Sequence, residues 1–179
     1  QINEHWALYP KVIKNYARHC ETGAPMPDAL IEKLKKAAGF NQGYALAENL
    51  AAVSLDMAWH MLSVEELPED VDEFENAALK EAGINLSTVP PRYRTPYFRH
   101  IWSNGYAAGY YAYVWSEMLD ADSYEWFVEH GGLNRENGER FRRMILSKGN
   151  TEDFETLYKA FRGRMPDVKP LLRNRGLSF

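Results

Sequence analysis

Residues 100–122 read HIWSNGYAAGYYAYVWSEMLDAD. Within the fourteen residues from His100 to Tyr113, one histidine precedes two glycines, Gly105 and Gly109, and four tyrosines, Tyr106, Tyr110, Tyr111 and Tyr113. Both side-chain types can donate a hydrogen bond at neutral pH, because an unperturbed tyrosine keeps its proton up to about pH 10. Donors grouped around a reacting carbonyl stabilise the oxyanion of a tetrahedral intermediate. The glycines let the backbone bend or approach a ligand closely.

Tyr106, Tyr110 and Tyr113 stand at i, i+4 and i+7, so on a helix they form one stripe with their hydroxyls pointing the same way. Tyr111 lies off that stripe. Aromatic stripes usually mark a buried face, and a packed core is the plain reading. Three buried hydroxyls would each need a partner, however, and a wet cleft supplies partners more readily than a dry core does.

Working outward, the rest of the chain reads as helices separated by punctuation, with no run of alternating strands and no internal repeat. Helical spacing predicts elements over Glu4–Cys20, Asp28–Ala38 with Gly39 as its C′ residue, Gln42–Leu62, and Asp70–Ala82 ended by Gly83. Ser63 and Glu66 have capping-box spacing over a short turn. Pro90, Pro91 and Pro96 make the next stretch a loop or a short helical turn. The tyrosine segment should open a helix running to Glu129 and stopped by Gly131-Gly132. Arg135–Leu146, Glu152–Phe161, capped by Asn150 or Thr151, and Asp167–Arg173 complete an all-α reading.

Composition excludes several function classes. The net charge of −4 provides no basic field for nucleic acid or an acidic membrane surface. No apolar run approaches the eighteen or so residues of a membrane span. A chain of 179 residues, 45% hydrophobic and 26% charged, has ordinary globular composition, and the length prior suggests one domain. The single Cys20 rules out an internal disulfide and fits a reducing, cytoplasmic setting.

The His–Gly–Tyr–Gly–Tyr–Tyr run resembles the C-terminal part of peptidase family M3, the zinc oligopeptidases, and within it the peptidyl-dipeptidases. The likeness extends to QINEHWALYPKVIKNYARH at residues 1–19, GYALAENLAAVSLDMAWH at 43–60 and WFVEHGGLNRENGERFRRMILSKGN at 126–150. The resemblance implies a C-terminal piece, residues 1–179, of the deep-channelled, neurolysin-like α-helical fold. It implies that His100 and Tyr106 contact substrate and steady the oxyanion, and that Tyr110 and Tyr113 line the substrate site beside Gly105 and Gly109. The implied substrates are short peptides that lose C-terminal dipeptides.

The family's metal motif is H-E-x-x-H, whose glutamate acts as general base. Among the five histidines, His5, His19, His60, His100 and His130, no two stand three or four residues apart. The resemblance places a further zinc-ligand glutamate just before Gln1. The chain therefore reads as an excised piece that holds one wall of an active site and no zinc ligand. Zinc is expected in the parent, and neither metal nor activity in the piece alone. The expected partners are peptide substrates and the missing N-terminal part. Apolar surface around Trp6 and Tyr9, left by that part, would drive self-association.

A second reading, from a different class, is a non-catalytic helical module that binds peptides or proteins through the tyrosine face. Other residues have plain readings: His60 as a hydrogen-bonded core histidine, His5 as packing, and Glu65, Glu66, Glu69, Asp70, Asp72, Glu73 and Glu75 as a solvated acidic surface. Arg92, Arg94 and Arg99 read as solvated or carboxylate-paired, although arginine can also grip a peptide carboxylate.

Overall fold

The computed structural model describes residues 1–177. Its elements are α1 (Ile2–Ala7), α2 (Pro10–Tyr16), α3 (Asp28–Ala38), α4 (Gln42–His60), α5 (Val71–Glu81), α6 (Arg99–Ser103), α7 (Ala112–Glu129), α8 (Arg135–Phe141), α9 (Phe154–Arg162) and α10 (Lys169–Asn174). Short 3₁₀ turns cover Val64–Glu66 and Thr95–Tyr97, and a π turn, Arg142–Leu146, prolongs α8. Among the described residues the only β pairing is two isolated bridges, Arg18 with Pro25 and Leu86 with Val89. The all-α expectation holds.

The chain forms two compact units, Asn41–Trp115 on one hand and Gln1–Phe40 with the chain from Ser116 onward on the other. The boundary falls inside α7. In the second of these units the expected Glu4–Cys20 helix is two helices. Pro10 has no N–H to give, and its ring opposes a continuous turn, so Tyr9 turns extended (φ −66°, ψ 126°) and α2 restarts with proline in its first turn. Trp6 does not present the expected exposed patch. Its ring packs edge-on against Tyr124 at 5.3 Å and Phe127 at 5.1 Å, beside a core of Trp126, Phe127 and Phe161. His5 is a packing residue, stacked 4.1 Å from Tyr124 and paired through Nε2 with Asp120 at 2.9 Å. Asp153, not Asn150 or Thr151, caps α9, accepting from the Thr156 N–H at 3.1 Å.

Asp122 of α7 is the polar hub of that unit. Fully buried, it accepts from Arg162 Nε at 3.1 Å, Arg164 Nη2 at 2.6 Å and the Tyr158 hydroxyl at 2.9 Å. Burial works against its charge, but hydrogen bonds from Arg164, Tyr158 and Arg162 outweigh burial and hold its carboxyl below the usual range.

In the unit Asn41–Trp115, α4 packs against α5 through Ala51, Leu55 and Leu79. The Ser63–Glu66 capping box is present as expected, and Asp70 caps α5 by accepting from the N–H groups of Asp72 and Glu73. Glu75 departs from the expected solvated acidic run. It is 1% exposed, and its carboxylate receives Arg94 Nε at 2.6 Å and both the N–H and hydroxyl of Thr95 at 2.9 Å. This ties α5 to the Thr95–Tyr97 turn that leads into the tyrosine segment.

Candidate functional site

The tyrosine segment is not a helix from end to end. After α6, residues 104–111 form a loop, and α7 starts only at Ala112. Gly105 has φ 76°, a left-handed conformation that favours glycine, and no atom stands near the place its Cβ would take. Backbone geometry alone therefore accounts for it. Gly109 is under no such demand: a Cβ there would meet the Tyr106 carbonyl, which the Gly109 N–H bonds at 2.8 Å, at an ordinary contact distance of 3.4 Å. The backbone of Tyr106 is tied back to the His100 carbonyl at 3.2 Å.

This fold-back, and not helical periodicity, gathers the side chains. The Tyr106 and Tyr113 rings stack with centroids 5.3 Å apart and 17° between planes. Tyr110 and Tyr113 are 5.0 Å apart. The His100 ring meets Tyr106 at 5.9 Å, Tyr110 at 5.6 Å and Tyr113 at 6.4 Å. Tyr111 stands apart and is half exposed. The expected set thus meets in one cluster, at different depths. Tyr110 is 5% exposed and belongs to a core with Ala52, Phe98 and Ile101, whereas Tyr113 is 41% exposed. His100 and Tyr106 are half-buried.

The electrostatics keep the Tyr110 and Tyr113 hydroxyls protonated at neutral pH. Burial, with Tyr93 and Tyr113 nearby, pushes the Tyr110 hydroxyl up to about 12. Tyr113 is raised as well, first by its hydrogen bond with Tyr106 and then by burial. His100 Nδ1 is buried without a hydrogen-bond partner. An orphaned N–H is rarer than an unpaired acceptor, which favours the tautomer with the proton on Nε2 and makes that nitrogen the ring's donor.

Two contributors were not read from the sequence. Tyr93 lies 4.8 Å from His100 and stacks on Phe98 at 5.1 Å, and nothing in its Pro-rich surroundings signals this. Asp56 of α4 is fully buried, and its two carboxylate oxygens accept the N–H groups of Ala108 at 2.9 Å and Tyr110 at 2.8 Å. Its signal was present: an acid inside an apolar run, four residues before His60, whose Nδ1 lies 2.9 Å from it. Arg94 is engaged with Glu75, and the Arg92 guanidinium sits 5.7 Å over the Tyr93 ring, so the carboxylate-paired reading holds for Arg94.

The family model described as peptidase family M3 matches residues 1–177. The chain belongs to peptidase family M3. It is 55% identical over 178 residues to the dipeptidyl carboxypeptidase of Escherichia coli (strain K12), covering 99% of this chain and 26% of that protein. It is 34% identical over 180 residues to Oligopeptidase A of the same organism, at the same coverage of each, and 28% identical over 187 residues to saccharolysin of Saccharomyces cerevisiae, covering 25% of it. This M3 chain therefore spans about a quarter of the length of these relatives. Among its described residues no three His, Cys, Asp or Glu side chains are grouped to hold a metal, so a zinc site does not fit the residues present. No helix among them is long and apolar enough to cross a membrane.

Proposed function

We propose that the longer protein is a cytoplasmic zinc peptidase that removes dipeptides from the C-termini of short peptides, and that this chain is one wall of its active site. The observation that carries this reading is the cluster of His100, Tyr106 and Tyr113, folded together by the Gly105–Gly109 loop in a chain 55% identical to a dipeptidyl carboxypeptidase. Zinc would be held by residues outside the described set, and the roles proposed for this chain are binding and oxyanion donation. His100, through Nε2–H, and Tyr106, through its hydroxyl, donate to the oxygen that gains charge as the scissile carbonyl is attacked. Tyr113 lines the peptide backbone. Tyr110 supports it from the core side, wedged between Tyr113 and Phe98 at 5.0 and 4.8 Å. Gly105 and Gly109 shape the loop beside the peptide.

The exposed apolar side chains of Leu50 and Met57 on α4, and of Met61 just after it, are consistent with packing against the rest of the longer protein. The chain alone would then be inactive and prone to self-association through that face. The test is a blocked tetrapeptide incubated with the purified full-length protein, with products identified by mass spectrometry. Release of the C-terminal dipeptide, abolished by a chelator and restored by zinc, is the expected result. Cleavage that ignores the chelator would refute the reading, and binding without turnover would favour the peptide-binding module.

A further inference from the structure

We propose that Asp56 is a positioning residue for this reaction, a buried clamp that sets where the loop of residues 104–111 holds Tyr106 and Tyr113. This rests on the peptidase reading above. The clamp spans a long stretch of chain: Asp56 lies 52 and 54 residues from its partners Ala108 and Tyr110. Those partners flank Gly109, so one carboxylate fixes both sides of the turn from which Tyr110 and the start of α7 emerge. In the loop, the Tyr106 and Gly109 N–H groups bond the His100 and Tyr106 carbonyls, and the Gly109, Tyr110 and Tyr111 carbonyls accept from Ala112, Tyr113 and Trp115. The Ala108 and Tyr110 N–H groups go to the Asp56 carboxylate. Ala108 adopts φ 51°. A non-glycine residue is uncommon there and persists only where its surroundings over-determine it. The Ala108 N–H held at 2.9 Å by Asp56 is such a constraint.

The chemistry calls for a carboxylate in particular. Two converging N–H donors need two acceptor oxygens, and an ionised aspartate supplies both. Asparagine has one oxygen, and its NH₂ would face a backbone N–H in a fully buried place, leaving one donor unpaired. His60 Nδ1 is hydrogen-bonded to the Asp56 backbone carbonyl at 2.8 Å and lies 2.9 Å from Asp56 Oδ1, flanking the carboxylate from the α4 side. Asp56 acts through the loop, so its effect should appear in the use of the tyrosines and not as separate chemistry.

The experiment is a double-mutant cycle in the full-length, zinc-loaded enzyme, pairing Asp56→Asn with Tyr106→Phe, with amide hydrogen exchange on each form. Asp56→Asn should lower kcat by about 10²-fold, the scale of a small misplacement of reacting groups, and should move KM less. The Ala108 and Tyr110 amides should exchange faster, while those of α5 stay protected. The kcat losses should not multiply in the double variant, because each removes the same donor. A near-normal kcat, or losses that multiply, would overturn the positioning role. Where Asp56→Asn does not accumulate as folded protein, the same cycle with His60→Gln decides. Coupling to Tyr106→Phe supports the clamp, and multiplying losses refute it. A wild-type enzyme without turnover would refute the peptidase reading itself, an outcome seen before any variant is made.

Discussion

Tyr106→Phe in the full-length protein separates the two meanings of the tyrosine cluster. The substitution removes one oxygen and leaves the ring, which can remain stacked on Tyr113 at 5.3 Å and edge-on to His100 at 5.9 Å. Little packing is lost. If the hydroxyl donates to the oxyanion, kcat should fall by about 10²–10³, or some 2.7–4 kcal/mol, the scale of one lost donor. KM should change less, because that bond is strongest in the transition state. A second signature comes from the same oxygen. Its hydrogen bond is the largest cause raising the Tyr113 hydroxyl, so Tyr113 should titrate closer to an ordinary tyrosine in the variant. Tyr111→Phe, half exposed and outside the cluster, is the control and should leave kcat unchanged. Steady-state kinetics on a blocked peptide and a spectrophotometric tyrosine titration provide the readouts. A Tyr106→Phe enzyme with near-normal kcat would return the segment to a packed aromatic cluster with no part in the chemistry.

Asp122→Ala should be destabilising, by about 1–3 kcal/mol, because it leaves the Tyr158 hydroxyl and Arg162 Nε without their buried acceptor, while Arg162 keeps its two bonds to Glu129 at 2.6 and 2.9 Å. Faster hydrogen exchange across α7 and α9 would register this. Gly132→Ala should lower the melting temperature, at a cost of about 1–2 kcal/mol for the left-handed φ of 78° alone. Its Cβ would also stand 2.5 Å from the Tyr9 hydroxyl. The Tyr110 hydroxyl, raised to about 12 in the fold, favours the native state fully below pH 10, and that contribution is lost as pH rises from 10 through 12. Urea midpoints that fall over that window in the wild type, and fall less in Tyr110→Phe, would confirm the sign.

The helices were legible where local chemistry decides them. The Ser63–Glu66 box, the Asp70 start of α5 and the Gly131 stop after α7 are all local signals, and all three are in place. Pro10 was equally legible, and reading a helix across it gave too little weight to the lost N–H. The loop at residues 104–111 is a different case. Its tyrosines sit at helical spacing, so periodicity reads a helix. The backbone leaves the helix because Gly105 turns left-handed and a carboxylate more than fifty residues earlier in the chain draws in the Ala108 and Tyr110 amides. No local window contains that acid. The burial of Glu75 was hidden for the same reason, since its partners Arg94 and Thr95 follow it by 19 and 20 residues.

A packed aromatic cluster and a substrate wall can share this segment, because its tyrosines lie at different depths. Tyr110 sits in the core with Phe98, Ile101 and Ala52, and the small Ala52, fully buried on α4, leaves room for the loop to come down onto the helix. Tyr113 and Tyr106 lie on top of that layer with part of their surface outside. A hydroxyl stabilises developing charge well only if it is already in place and needs no reorganisation when the charge appears. An aromatic ring in a loop has few contacts to hold it, so the rigidity must come from beneath. Tyr110 and Phe98 provide it by packing, and Asp56 provides it by fixing the backbone on either side of Gly109. On the proposed reading, burying one tyrosine of the run is what lets the exposed ones act as donors.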